Sequence, residues 1–190
     1  DPIDAASLAG RRNIDINDVP LPRVFALFFN ATQNELLLDE DVVNALEIAI
    51  NREAIIDRAL VGFGTPLDSP LSPHAPGYTP YTGDERNSED RIEAARAIID
   101  EAGYTLNDDD LFTENGNVLT LSLATSNTPE LVEVSEIIKE RAQAIGINVG
   151  IQKFDTGDLV QEVIRPRNYE MLLFGHVYQH DTDVYAFWHS

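Results

Sequence analysis

The sequence contains no cysteine. Disulfides, thiolate metal sites and a cysteine nucleophile are therefore excluded, although this alone does not decide the compartment. Lysine is nearly absent, occurring only at Lys139 and Lys153, and 13 Lys+Arg face 33 Asp+Glu. The resulting formal charge of −20 makes nucleic acid an unsuitable partner, because its phosphate backbone would be repelled. An acidic, lysine-poor surface suits a salt-rich setting, where screening weakens self-repulsion, and equally suits an ordinary acidic protein. Long apolar runs are also missing: Val24 to Phe29 and Met171 to Phe174 are far too short to cross a bilayer. Asp1-Pro2-Ile3-Asp4 carries no basic stretch followed by an apolar one, so no signal peptide is expected within this chain. What is present is ordinary for a folded protein: 43% hydrophobic and 8% aromatic residues in 190, enough for one domain with a substantial core.

Residues 1–22 are polar and irregular, and Pro20 and Pro22 bracket an extended approach. Residues 23–190 are expected to form a single α/β lobe with no internal boundary. Arg23 to Asn30 is a nearly continuous apolar run and predicts a strand buried on both faces. Val42, Ala45, Leu46, Ala49, Ile56 and Leu60 recur at helical spacing and predict one long helix over 39–60. Asp39, Glu40 and Asp41 suit its N-terminus, and Gly62 and Gly64 end it. A proline-rich loop follows over 65–84, of a length usual for a binding surface or a covering arm. A second helix is expected over 88–102, capped by Ser88 and stopped at Gly103, with Arg91 where a capping-box acid would sit. Asn115-Gly116 marks a hairpin between 110–114 and 118–123. A helix over 129–145, a strand over 147–154, a short helix over 158–164 and a strand over 169–174 complete the pattern. This alternation predicts an α/β fold, with helices flanking a mixed sheet.

Several segments, taken in order, are similar to one protein family. They are Phe28-Phe29-Asn30 followed by Asp39 to Leu46 and Ala49-Ile50-Asn51-Arg52-Glu53; Gly62-Phe63-Gly64-Thr65-Pro66; Ala94 to Tyr104, ending Glu-Ala-Gly-Tyr; and Ala144 to Val149. Together they resemble the extracellular solute-binding proteins of family 5, the oligopeptide, dipeptide and nickel receptors of ABC importers, from about residue 24 to the C-terminus. The resemblance implies one lobe of a two-lobed periplasmic-binding-protein-like fold that encloses solute between its lobes. It implies a peptide ligand, partnership with ABC permease subunits, no catalysis and no cofactor. It also implies a periplasmic or extracellular location, with membrane contact only through a permease or through an anchor, such as a lipid, outside this chain. Three departures bear on the ligand. Val43 replaces the helix signature's arginine; Phe174-Gly175-His176 stands where the family often has Gly-Trp; and Leu173 occupies the position where some peptide binders carry a carboxylate-binding arginine. The aspartate that holds a peptide's amino group in such relatives corresponds best to Asp181, with Asp183 second.

The segment 175–188 concentrates ionisable and aromatic groups after a strand, where ligands of α/β folds commonly sit. Its candidate ligand-binding residues are Asp181, Asp183, His180, Tyr178, His176 and Trp188. A carboxylate there can pair with a ligand ammonium, and an aromatic can pack on its side chain; Phe187 is assigned to packing instead. His176, His180 and His189 with Asp181 and Asp183 also suit zinc or nickel chemically, but their spacing matches no compact metal motif, and no metal site is assigned. Asn107 to Glu114 departs from a calcium-loop pattern, with no glycine at the sixth position. No serine lies in a Gly-x-Ser-x-Gly context and no glycine loop for phosphate is present, so no catalytic residue is assigned. The alternatives are a non-transporting sensor or interaction module on the same fold, a receptor for nickel or a metal complex, and, third, a metal-dependent hydrolase.

Overall fold

A computed structural model describes residues 23–71, 73 and 77–177, with only the backbone of His176. In chain order it contains β1 (Arg23–Phe29), a 3₁₀ turn (Glu35–Leu38), α1 (Glu40–Ala49), α2 (Arg52–Ala59), α3 (Ser88–Glu101), β2 (Thr105–Leu106), β3 (Phe112–Glu114), β4 (Asn117–Val118), β5 (Thr120–Ser126), α4 (Pro129–Ala144), β6 (Asn148–Phe154), α5 (Thr156–Asp158) and β7 (Met171–Val177). α5 continues as a π-helix over Leu159–Ile164, in which Arg165 N–H donates to the Val160 carbonyl five residues back. The fold is α/β, as predicted. One sheet has the order β1-β7-β5-β6, and a small antiparallel sheet has the order β2-β3-β4.

The chain divides into two compact units. The larger comprises Leu27–Asn51 and Asp84–Phe174; the smaller takes Arg52–Gly83 with the chain before Leu27 and after Phe174. The sequence shows no such boundary because each unit is assembled from separated stretches, so no single composition shift marks it.

In the larger unit β5 is the central strand, pairing in parallel with β6 and β7. Leu159 and Val163 pack on Ala124 and Leu172, with Phe28, Phe154 and Phe174 around them. Strand side chains alternate between faces, which leaves Leu121 and Leu123 for the opposite face, and α4 packs on β5 and β6. α4 buries Leu131, Ile137, Ile138 and Ala142, the apolar stripe of its sequence. α1 packs against α3 through a buried face that includes Leu46, Ala45, Ala95 and Ile99.

Four local expectations are corrected. β1 buries only Val24, and Phe25 is 38% exposed, because β1 is an outer strand of its sheet rather than an inner one. The single helix over 39–60 is broken: Ile50 is extended, at φ −79° and ψ 111°, and α2 begins at Arg52 in the other unit. The cap of α3 is Asn87, whose side chain accepts from the Glu89 and Asp90 amides, while Ser88 Oγ accepts from Arg141. The hairpin turns at Asn115 (φ 51°) and Gly116 (φ 82°), the left-handed pair of a type I′ turn. Its second strand stops at Val118, however, and Thr120 starts β5 in the other sheet.

Candidate functional site

Parallel pairing brings the carboxyl ends of β5 and β6 to one edge of the larger unit, with Ser126 opposite Phe154. Thr125 is opposite Leu173 on β7. From β5 the chain crosses through α4 to β6 on one side and then through α5 to β7 on the other, so the strand order reverses about β5. Ligands of α/β sheets bind beyond carboxyl ends at such reversals.

A short polar run forms this edge. Thr125 is fully buried and donates its hydroxyl to the Leu173 carbonyl at 3.0 Å. The Ser126 and Thr128 hydroxyls are 2.9 Å apart. Asn127 N–H extends the ladder by donating to the Phe154 carbonyl at 2.8 Å, and its side-chain amide donates to the Asp155 carboxylate. Thr128 precedes α4 without making a side-chain cap bond, and Pro129 begins the helix. The first-turn amides of a 16-residue helix therefore open onto the same edge, with partial positive charge. Ser126 is buried beneath the edge, and the Thr128 hydroxyl with the exposed amide of Asn127 and carboxylate of Asp155 are the groups that can meet the polar backbone of a small solute; they supply no nucleophile with a base. Sequence reasoning missed Asn127, Thr128 and Asp155. The available signal was a polar stretch closing an apolar strand just before a proline-started helix.

Of the residues predicted for the site, Tyr178, His180, Asp181, Asp183 and Trp188 lie outside the described residues, as do Phe187 and His189. His176 lies on β7, which runs on to Val177, three residues past the predicted end. Leu173 is 3% exposed, so its side chain belongs to the core and only its carbonyl takes part at the edge. In the smaller unit, a Cβ on Gly175 would lie 2.7 and 2.8 Å from the Phe25 ring and 3.0 Å from Arg23 Nε. A larger residue there would push the exposed Phe25 ring and the Arg23 side chain aside. The Arg23 guanidinium lies 4.4 Å from the centre of that ring.

The proline-rich loop has no regular structure among its described residues and is held by side chains. In the smaller unit, Tyr81 donates to Glu53 at 3.2 Å, and Arg52 lies over the Tyr81 ring and 3.8 Å from Asp68. In the turn at 107–111, Asn107 accepts from the Asp109 and Leu111 amides. There Asp110 pairs with Arg96, which holds its carboxyl below the ordinary range. Among the described residues no group of three metal-ligating side chains converges, and no helix is long and apolar enough to cross a membrane. An open groove of about 450 Å³ between α3 and α4, lined by Ser88, Ile92, Arg96 and Arg141 among others, lies near the end of α4 remote from Thr128.

The family described as bacterial extracellular solute-binding proteins, family 5 Middle, matches residues 1–190. The oligopeptide-binding protein AppA of Bacillus subtilis (strain 168) is 28% identical over 161 residues, covering 83% of this chain and 30% of that protein. The nickel-binding periplasmic protein of Escherichia coli (strain K12) is 31% identical over 127 residues, covering 64% of this chain and 22% of that protein. The solved structure of AppA in complex with a nonapeptide superposes with a TM-score of 0.76 at 24% identity, over 97% of this chain and 37% of that one. The chain thus spans about a third or less of the relatives it matches, and these relatives are named for what they bind.

Proposed function

Since the chain belongs to the bacterial extracellular solute-binding proteins of family 5, we propose that it forms one wall of the solute cleft in an ABC-importer receptor, with peptides as its cargo. The observation that carries this reading is the polar run Ser126-Asn127-Thr128 with Asp155, gathered at the carboxyl edge of parallel strands where the strand order reverses. Its mixture of donors and acceptors suits a peptide backbone better than a purely apolar solute. The match to an oligopeptide-binding protein over 83% of the chain points the same way.

In this reading β7 leads into the segment that carries the ligand's anchors. Asp181, or Asp183 beside it, receives the peptide ammonium through a charge-assisted bond; Tyr178 and Trp188 wall the side chains; His176 and His180 supply polar contacts. Solute binding closes this lobe on a second one by hinge motion, and the closed form docks on permease subunits outside the cytoplasmic membrane. A receptor for a nickel complex is the second reading, favoured by the 31% identity to a nickel-binding protein and by the histidines at 176, 180 and 189.

Native mass spectrometry of the full-length protein containing this chain, as purified, tests both. Released peptides identified by fragmentation support the first reading, and a retained nickel complex supports the second. If small-angle scattering detects no compaction with peptides or with nickel complexes, the importer mechanism is overturned.

A further inference from the structure

We infer that Asn30 is a glycosylation site, receiving an oligosaccharide on its side-chain amide nitrogen. Asn30-Ala31-Thr32 is the only Asn-x-Ser/Thr triplet in the chain, and that triplet is the acceptor pattern for N-linked sugars on surface loops of exported proteins. The inference rests on the extracellular placement proposed above. The structure supplies the context that the triplet alone lacks. β1 ends at Phe29, and a turn over 31–33 follows. Asn30 Oδ1 accepts from the Thr32 amide at 3.2 Å and from the Thr32 hydroxyl at 2.7 Å, an Asx-turn. The Gln33 N–H closes the bend by donating to the Asn30 carbonyl at 3.1 Å. Thr32 and Gln33 are exposed and Asn30 is half-buried, so a transferase can approach the turn from solvent.

An amide nitrogen is a weak nucleophile because its lone pair is shared with the carbonyl. Donation from the Thr32 hydroxyl to Oδ1 draws charge onto that oxygen and makes the Nδ2 protons more acidic. A base of the transferase then removes one Nδ2 proton, and Nδ2 bonds to C1 of the first sugar. The bond from C1 to the phosphate oxygen of a lipid-linked oligosaccharide breaks, and the lipid phosphate leaves. Nδ2 carries two hydrogens. One is donated to the Arg167 carbonyl at 2.9 Å, and among the described residues no acceptor holds the other. Replacing that second hydrogen leaves the Arg167 bond in place, so the product keeps the turn. The site also stands clear of the solute. Asn30 N–H donates to the Glu170 carbonyl at 2.8 Å, just before β7 begins at Met171. Met171 pairs with Leu123, which places Asn30 towards the amino ends of the parallel strands, roughly 13 Å of strand before Ser126.

The test uses the full-length protein, isolated by fractionation from the cells that naturally make it, and variants expressed in the same cells. Trypsin releases residues 24–52 as one peptide, since no lysine or arginine lies between Arg23 and Arg52. Mass spectrometry of that peptide is expected to show a ladder of sugar-sized increments, placed on Asn30 by fragmentation. Asn30→Gln should abolish the ladder, but it also removes the acceptor of the turn. Thr32→Val keeps the Asn30 bond to Arg167 and is the second variant if Asn30→Gln does not fold. It should abolish the ladder too, whereas Thr32→Ser, which restores a hydroxyl, should retain it. An unmodified 24–52 peptide from wild-type protein recovered outside the cytoplasmic membrane overturns the glycan site and leaves the importer reading standing. Undiminished modification in Thr32→Val overturns recognition of this triplet, and the inference with it. Recovery of the wild type only from the cytoplasm overturns the extracellular placement and this inference together.

Discussion

Arg91 is 3% exposed, and a buried charge persists only when its donors are occupied. Its guanidinium donates to the carbonyls of Arg86, Ile48 and Asp84 at 3.3, 3.4 and 3.1 Å and lies 3.6 Å from the Asp84 carboxylate. It thereby ties the end of α1 to the approach of α3, at the position where the capping pattern expects an acid. Arg91→Met leaves those carbonyls without a donor and should lower stability by about 2–4 kcal/mol, read as a lower urea midpoint at unchanged slope. Arg91→Lys should rescue little, since a point charge cannot span three acceptors. Asp84 also titrates: hydrogen bonds from Arg86, through side chain and amide, and the charge of Arg91 hold its pKa down to about 2, from 3.8. A carboxylate whose pKa falls on folding contributes fully above 3.8 and loses that contribution as pH falls towards 2. Stability measured against pH should therefore drop across this window in the wild type, and less steeply in Asp84→Asn.

At the scale of elements, the turn joining α4 to β6 depends on Gly146, at φ 82°. Its Cβ would lie 2.7 Å from the fully buried Phe112 ring and 3.3 Å from backbone atoms of Asp110 and Phe112. Those backbone atoms are held close because Phe112 N–H donates to the Gly146 carbonyl at 2.8 Å. Gly146→Ala therefore combines left-handed backbone strain with overpacking and should cost roughly 2 kcal/mol or more. Gly150→Ala, on β6 with no atom within 4 Å of the new methyl, should stay within about 0.5 kcal/mol of wild type; thermal melts of the two variants check the contrast. The break between α1 and α2 has a related origin. Apolar spacing continues across Ile50 and Asn51, and helix propensities differ by only tenths of a kcal/mol per residue, so the packing of two separate units overrides the local pattern.

For the whole molecule the dominant long-range quantity is the charge of −20. Like charges repel over about 10 Å at 0.1 M salt but only about 3 Å at 1 M. The melting temperature should therefore rise by roughly 5 °C or more between 0.05 and 1 M NaCl. Calorimetry across that range checks this, and a flat profile would show that the acidic groups are already neutralised locally. With 33 Asp+Glu against 13 Lys+Arg, the cations can offset only a minority of the acids, so much of the repulsion is left for salt to screen.

The α/β alternation, the helix ends at Gly103 and Gly146, the Asn115-Gly116 turn and the kinship to solute-binding proteins were all legible in the sequence, because spacing, capping and turn chemistry act over a few residues. The candidate edge was legible only in part: a strand ending ahead of a ligand segment was visible, whereas the pairing of Asn127 with Asp155 was not. The packing of Arg23 and Phe25 on Gly175 could not be read either, nor could the commitment of Arg91 to three carbonyls or the assembly of two units from interleaved stretches. These depend on which strands become neighbours and how closely backbones approach. Burial of the whole core decides that, and no local pattern along the chain encodes it.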